Sequence, residues 1–174
     1  MLIIFGGLPG VGKTAIATEL ACLTGALHLR IDSIEQALRA SGAMSRPIDD
    51  AGYRVAYAVA EDNLRIGRTV IADSVNPLSL TRDAWTAVAD RAGVRAIEVE
   101  VTCSDVNEHR RRVETRTSDI PGLKLPAWEE VIGREYHRWE GEHLVIDTAG
   151  RTVEQNVAAI RQATGSTFGG PEGR

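Results

Sequence analysis

At 174 residues the chain is long enough for one compact domain that buries its apolar surface without disulfides or structural metals. With 43% hydrophobic and 25% charged residues it has the profile of an ordinary globular protein, ordered except towards its ends. A formal net charge of -4 excludes a protein that holds nucleic acid through a broad basic face and leaves at most a local basic patch.

The N-terminal run Met1 to Phe5 is apolar, has no basic leader and breaks at Gly6. That is too short for a signal-peptide core or a membrane span, so a cytoplasmic protein is expected, with a first strand over Leu2 to Phe5. Next comes Gly7-Leu8-Pro9-Gly10-Val11-Gly12-Lys13-Thr14, a match to G-x-x-x-x-G-K-[ST] between a strand and a helical pattern (Ala15, Ile16, Leu20). The glycines let backbone N–H groups turn inward around phosphates, and the helix N-terminus adds a positive dipole end. Lys13 supplies a point charge and the Thr14 hydroxyl a ligand for Mg²⁺. Read as a mere glycine-rich turn, the segment would not require Lys followed by Thr.

A second strand is expected over Ala26 to Ile31, ending in Asp32. Ser33-Ile34-Glu35-Gln36 has the form of a capping box, so a helix is expected just after that strand. With Ser33 as the cap, Asp32 is free at the carboxyl edge of the sheet, where ligands bind in open α/β folds; it can accept the proton of an attacking hydroxyl. The plainer reading makes Asp32 itself the cap. Ala40 to Asp50, with Gly42 and Pro47, reads as a loop.

Tyr53, Tyr57, Ala60 and Leu64 recur at helical spacing and read as core. Thr69 to Ala72 is an apolar strand followed by Asp73, an arrangement that brings a carboxylate to a Mg²⁺ shell at the sheet edge; alternatively Asp73 starts the turn before Asn76-Pro77. A helix through Thr81, Trp85, Val88 and Ala92 and a strand over Arg95 to Val101 follow. Cys22 and Cys103 lie in apolar-periodic stretches with no metal-ligand spacing and read as buried reduced thiols.

Between Glu108 and Arg116, His109, Arg112 and Arg116 share a helical face at i, i+3 and i+7. Arginines so arranged can close over a triphosphate and stabilise charge during transfer. A solvent face knitted by Glu108 and Arg112, or a nucleic-acid patch, are the other readings. The Gly- and Pro-bearing stretch Ser118 to Pro126 is expected to complete a lid. Trp128, Ile132, Tyr136 and Trp139 then suggest a helix packed on the core, His143 to Ile146 a fifth strand, and Val153, Val157, Ile160 and Thr164 a last helix. Residues 165–174, with four glycines and a proline, read as a flexible tail beyond a single domain over 1–164. The expected fold is α/β: a three-layer P-loop NTPase fold with a five-stranded parallel sheet flanked by helices, carrying an arginine-bearing lid.

With these residues in hand the chain resembles P-loop kinases of the AAA_33 group, close to polynucleotide 5′-kinase, chloramphenicol phosphotransferase and adenylylsulfate kinase domains. The landmarks are GLPGVGKT at Gly7 to Thr14, Asp32, ADSVNP at Ala72 to Pro77 followed by Arg82, the arginine run to Arg116, and IDTAG at Ile146 to Gly150. The resemblance implies that Asp32 is the general base, that Arg112 and Arg116 grip phosphates, and that Asp147, Thr148 and Ala149 border the adenine of ATP. Polynucleotide kinases often carry an Arg just before the base; here Ile31 stands there, and period-two alternation puts Arg30 on the other side of the strand.

The expected function is transfer of the γ-phosphoryl group of ATP, with Mg²⁺, to a small hydroxyl-bearing acceptor of nucleoside, sugar or antibiotic type. One alternative is a nucleotide or polynucleotide kinase, for which Arg46, Arg54 and Arg65 are further acceptor-phosphate candidates. The other is an ATP-binding regulatory switch.

Overall fold

The computed structural model describes residues 1–42 and 50–165. Five strands form one parallel sheet: β1 (Leu2–Gly6), β2 (Leu27–Arg30), β3 (Val70–Asp73), β4 (Ala96–Thr102) and β5 (Leu144–Asp147). Their spatial order is β2-β3-β1-β4-β5. The helices are α1 (Lys13–Thr24), α2 (Ile31–Ala40), α3 (Ala51–Arg65), α4 (Ser79–Ala92), α5 (Val106–Thr115), α6 (Trp128–Ile132) and α7 (Val153–Thr164). Each expected strand is present, its ends shifted by no more than a residue or two.

Alternation along β1 divides the core. Leu2 and Ile4 join a cluster with Ala56, Ala60 and Leu64 of α3 and Trp85 and Val88 of α4. Ile3 and Phe5 face the other layer, with Ile16 and Leu20 of α1 and Val157 and Ile160 of α7. A central parallel strand covered by helices on both faces has no wet side, hence its unbroken apolar run. Because β3 and β4 flank β1, the loops leaving all three strands gather at one carboxyl edge.

Several sequence expectations give way here. The capping box at Ser33 is absent: Arg30 is the N-cap of α2 and makes no side-chain cap bond, and Asp32 and Ser33 lie inside the first helical turn. Burial of Ile31, 3% exposed against the α3–α4 core, fixes it as the first helical residue instead of the last of the strand. A true capping box stands before α7, where Thr152 Oγ1 accepts from Gln155 N (3.3 Å) and Gln155 Oε1 from Thr152 N (2.9 Å). The helix expected through Trp139 stops at Ile132, so Tyr136 and Trp139 lie in irregular chain. Cys22 is exposed and Cys103 half-buried, not buried as expected. Most of the expected loop, residues 43–49 with Arg46 and Pro47, and most of the expected tail, 166–174, lie outside the described residues. Among the described residues, no helix is long and apolar enough to cross a membrane.

Candidate active site

A cleft of about 1290 Å³ opens along the carboxyl edge of the sheet, and Lys13, Thr14, Asp32, Asp73, Arg112 and Arg116 all line it. These residues come from α1, α2, β3, α5 and the chain just after α5. Six positions spread over a hundred residues thus converge at one place.

The loop Gly7 to Thr14 links β1 to α1, with Gly7, Gly10 and Gly12 all at positive φ. Gly10 (φ 88°) cannot carry a side chain, because a Cβ there would stand 2.5 Å from Val113 Cγ2 of α5. Two further contacts brace this loop. Buried His109 bonds through Nε2 to the Pro9 carbonyl (2.9 Å), its ring edge-on to Trp128. The Thr148 hydroxyl lies 2.9 Å from the Val11 carbonyl and 2.9 Å from that of Thr102.

Lys13 is buried, and its ammonium donates to the Leu8 carbonyl at 2.9 Å. Burial pulls its pKa down to about 8, against the opposing pull of Asp73 and then Asp32. Asp73, the last residue of β3, is 3% exposed and accepts a hydrogen bond from His28 Nε2 of β2 at 3.2 Å. Thr14, in the first turn of α1, is half-buried on the same cleft wall. One hydroxyl and one carboxylate suit Mg²⁺, which keeps several waters and takes substrate phosphates as its remaining ligands. Among the described residues no cluster of three or more metal-ligating side chains offers a rival site.

The arginine run divides into three tasks instead of forming one face. His109 points at the phosphate loop. Arg112 donates through Nη1 to Thr148 Oγ1 (2.8 Å) and through Nη2 to the Thr148 carbonyl (3.1 Å) and to Glu108. Arg116 has left the helix: it is the C-cap of α5, with extended backbone (φ −66°, ψ 146°). Its Nε and Nη2 are buried, with no hydrogen-bond partner among the described residues. Burial pulls its pKa down, Asp32 offsets part of that, and Arg30 adds a smaller downward push. The i, i+4 pair of Glu108 and Arg112 exists, half-buried beside the phosphate loop and not on an open solvent face.

Asp147 is not on the cleft wall. It caps the turn after β5, accepting from Ser104 N (2.9 Å) and from Ala149 N (3.1 Å), and its bonds with Ser104 hold its carboxyl below the usual range. The segment Asp147 to Ala149 meets the site through Thr148, which touches Val11 and Arg112.

Sequence reasoning missed His28 and Arg134 and set Arg30 aside. His28 and Arg30 alternate with Leu27 and Leu29 along β2 and so share a face, a signal that was legible. Arg30 lines the cleft with Asp32 and is not set apart from it: residues two apart share a side under period-two alternation, and α2 begins directly after Arg30. Arg134 enters from the turn after α6. Arg54 and Arg65 do not line the cleft; Arg65 pairs with Glu61 on α3.

Residues 2–131 match the model of a family described as an AAA domain, AAA_33. The chain is a P-loop kinase of the AAA_33 family. A relative in Aeropyrum pernix named "Probable adenylyl-sulfate kinase" is 28% identical to this kinase over 170 residues, spanning 88% of this chain and 86% of its own. Among solved structures, Chaetomium thermophilum Kti12 in complex with ADP-AlF3 aligns with a TM-score of 0.71 at 22% identity, over 98% of this kinase and all of that chain. The Mycobacterium tuberculosis APS kinase CysC in complex with AMPPNP and APS aligns with a TM-score of 0.65 at 20% identity, over 94% and 97% of the two chains.

Proposed function

We propose that this kinase transfers the γ-phosphoryl group of ATP to the hydroxyl of a small acceptor bound between Asp32 and the phosphate loop. The observation that carries the reading is the convergence of Asp32, Lys13 and Arg116 on one cleft, near enough for the Asp32 carboxylate to act electrostatically on both cations. A base is useful only where the nucleophile meets the electrophile, and Lys13 with the loop Gly7 to Thr14 marks the phosphate end.

In this reading the acceptor oxygen forms a bond to the γ-phosphorus as the bond from phosphorus to the β–γ bridging oxygen breaks. ADP leaves, and the hydroxyl proton passes to Asp32. Lys13 exchanges its bond to the Leu8 carbonyl for phosphate oxygen, and Arg116 turns its unpartnered N–H groups to charge on the transferring group. Arg112, engaged with Thr148 and Glu108, keeps the wall beside the phosphate loop in register while contributing positive charge. Thr14 and Asp73 would hold Mg²⁺, which neutralises phosphate charge, and His28 fixes the Asp73 carboxylate. Of the segment Asp147 to Ala149, Thr148 is the residue that reaches the nucleotide side of the site, through Val11 and Arg112.

Asp32→Asn tests the assignment. It is expected to retain nucleotide binding and to lose about two to four powers of ten in transfer. The acceptor comes from a transfer screen with labelled ATP across nucleosides, nucleotides, sugars, aminoglycosides and short oligonucleotides. Wild-type transfer by Asp32→Asn would remove the base role.

A further inference from the structure

The cleft is also lined by Arg30, a cation that the transfer mechanism leaves unused. Arg30 ends β2 with its side chain 19% exposed, and its Nε is buried without a hydrogen-bond partner among the described residues. Its Nη1 donates to Asp119 Oδ2 at 2.7 Å. Asp119 belongs to the segment between α5 and α6, and its own side chain is 72% exposed. A well-sheltered guanidinium is therefore met by a carboxylate that reaches in from solvent. The same segment touches α2 again at Gly122 (φ 78°), where a Cβ would stand 2.9 Å from Gln36 Nε2. The lid thus rests on the acceptor side of the cleft at two points, one of them ionic. Arg116, its Nε and Nη2 likewise unpartnered, is close enough to Arg30 for the two charges to oppose each other.

A sheltered guanidinium with a spare N–H group, met by a carboxylate reaching in from solvent and lying near a second cation, is the arrangement of an oxyanion subsite with a stand-in ligand. We infer that the acceptor is a small alcohol bearing an oxyanion group, which binds Arg30 in place of Asp119 and releases the lid's ionic contact as it docks. The inference rests on the kinase reading and narrows its acceptor from any hydroxyl compound to an anionic one. The exchange is favourable because Asp119 spends little to leave: an exposed carboxylate regains water, whereas Arg30 keeps a charge-assisted partner throughout. A phosphate, sulfate or carboxylate group would serve, since each presents oxygens at the spacing of the guanidinium fork.

The test uses the full chain saturated with Mg²⁺ and AMPPNP, so that the phosphate loop is filled. Inorganic phosphate, sulfate and acetate are titrated in separate arms, with the arginine Nε–Hε resonances followed by NMR. A saturable shift of the Arg30 resonance in at least one arm is expected, and the arm with the tightest binding names the oxyanion. Arg30→Gln is expected to weaken that binding by about tenfold or more, and Asp119→Asn to tighten it by about two- to fivefold through loss of the competing carboxylate. Arg30→Lys keeps the charge without the fork and is expected to fall between wild type and Arg30→Gln, which separates recognition from misfolding. Saturable AMPPNP binding with no Arg30-dependent anion site overturns the inference alone. Tightening absent in Asp119→Asn overturns the stand-in role. Failure to bind AMPPNP at all overturns the kinase reading and this inference with it.

Discussion

Lys13 concentrates the electrostatic tension of the site. Its ammonium is buried against the Leu8 carbonyl, with Asp73 and Asp32 drawing its pKa up and Arg116 and Arg134 adding to the depression by burial that leaves it near 8. A bound triphosphate reverses the balance by favouring the charged form, so the lysine pKa is higher in the complex than in the free protein. Between those two values the complex holds more protons than its separated partners. Nucleotide affinity should therefore be flat below about pH 8 and fall as pH rises above it, with binding taking up protons there. Calorimetry in buffers of different ionisation enthalpy at pH 9 measures that uptake. Lys13→Arg, which stays charged, should abolish the uptake even if the affinity itself changes; uptake unchanged in that variant would move the coupling to another group.

Among the elements, α4 and α5 tie the nucleotide loop to the rest of the fold in different ways. From α4, Arg82 is only 4% exposed and donates to three carbonyls: Asn76 (3.1 Å), His137 (3.2 Å) and Arg138 (3.0 Å). It also lies 4.8 Å from the centroid of a Trp139 ring. Asn76, in the left-handed region at φ 46°, donates to the Phe5 carbonyl at 2.6 Å, so this stitch reaches the end of β1 just before the phosphate loop. Arg82→Ala strands those carbonyls and should cost about 2–4 kcal/mol in chemical denaturation. An unchanged denaturation midpoint would show that water takes over its bonds. From α5, Arg112 is a brace and Arg116 a donor with unpartnered N–H groups, and the two variants should differ accordingly. Arg112→Ala should weaken nucleotide binding and transfer together, because it loosens Thr148 from the phosphate loop. Arg116→Ala should slow transfer more than it weakens ATP binding, because its N–H groups are free until charge develops. Steady-state kinetics beside direct binding measurements separate the two.

On the scale of the whole molecule, the cleft is assembled by strand order, and nucleotide binding should be felt as global stability. Mg²⁺-ATP at about 100 times its Kd should stabilise the fold by about 2.7 kcal/mol, a rise in Tm of roughly 5 to 10 °C for a chain of this size. Chelating the metal should remove most of that rise, and a full shift in the presence of chelator would count against Thr14 and Asp73 as its ligands. The five strands, the phosphate loop with Lys13 and Thr14, and the helices over Tyr53 to Leu64 and Val153 to Thr164 were legible in the sequence. Each is written locally, in an unbroken apolar run, a glycine spacing or a helical period, and each local preference agrees with the fold. The start of α2 was not local, because Ile31 could end a strand or open a helix until the core formed by α3 and α4 claimed its side chain. Nor was the division of labour among His109, Arg112 and Arg116, which share a face on an ideal helix and part company because the chain leaves the helix at Arg116. Asp119 and Arg134 were silent for the same reason, and the shared face of His28 and Arg30, though legible, did not tell their roles. A charge or an imidazole acquires its role from the partner it meets, and the partners here, Asp73 for His28 and Asp119 for Arg30, lie 45 and 89 residues away along the chain and become neighbours only when the sheet is complete.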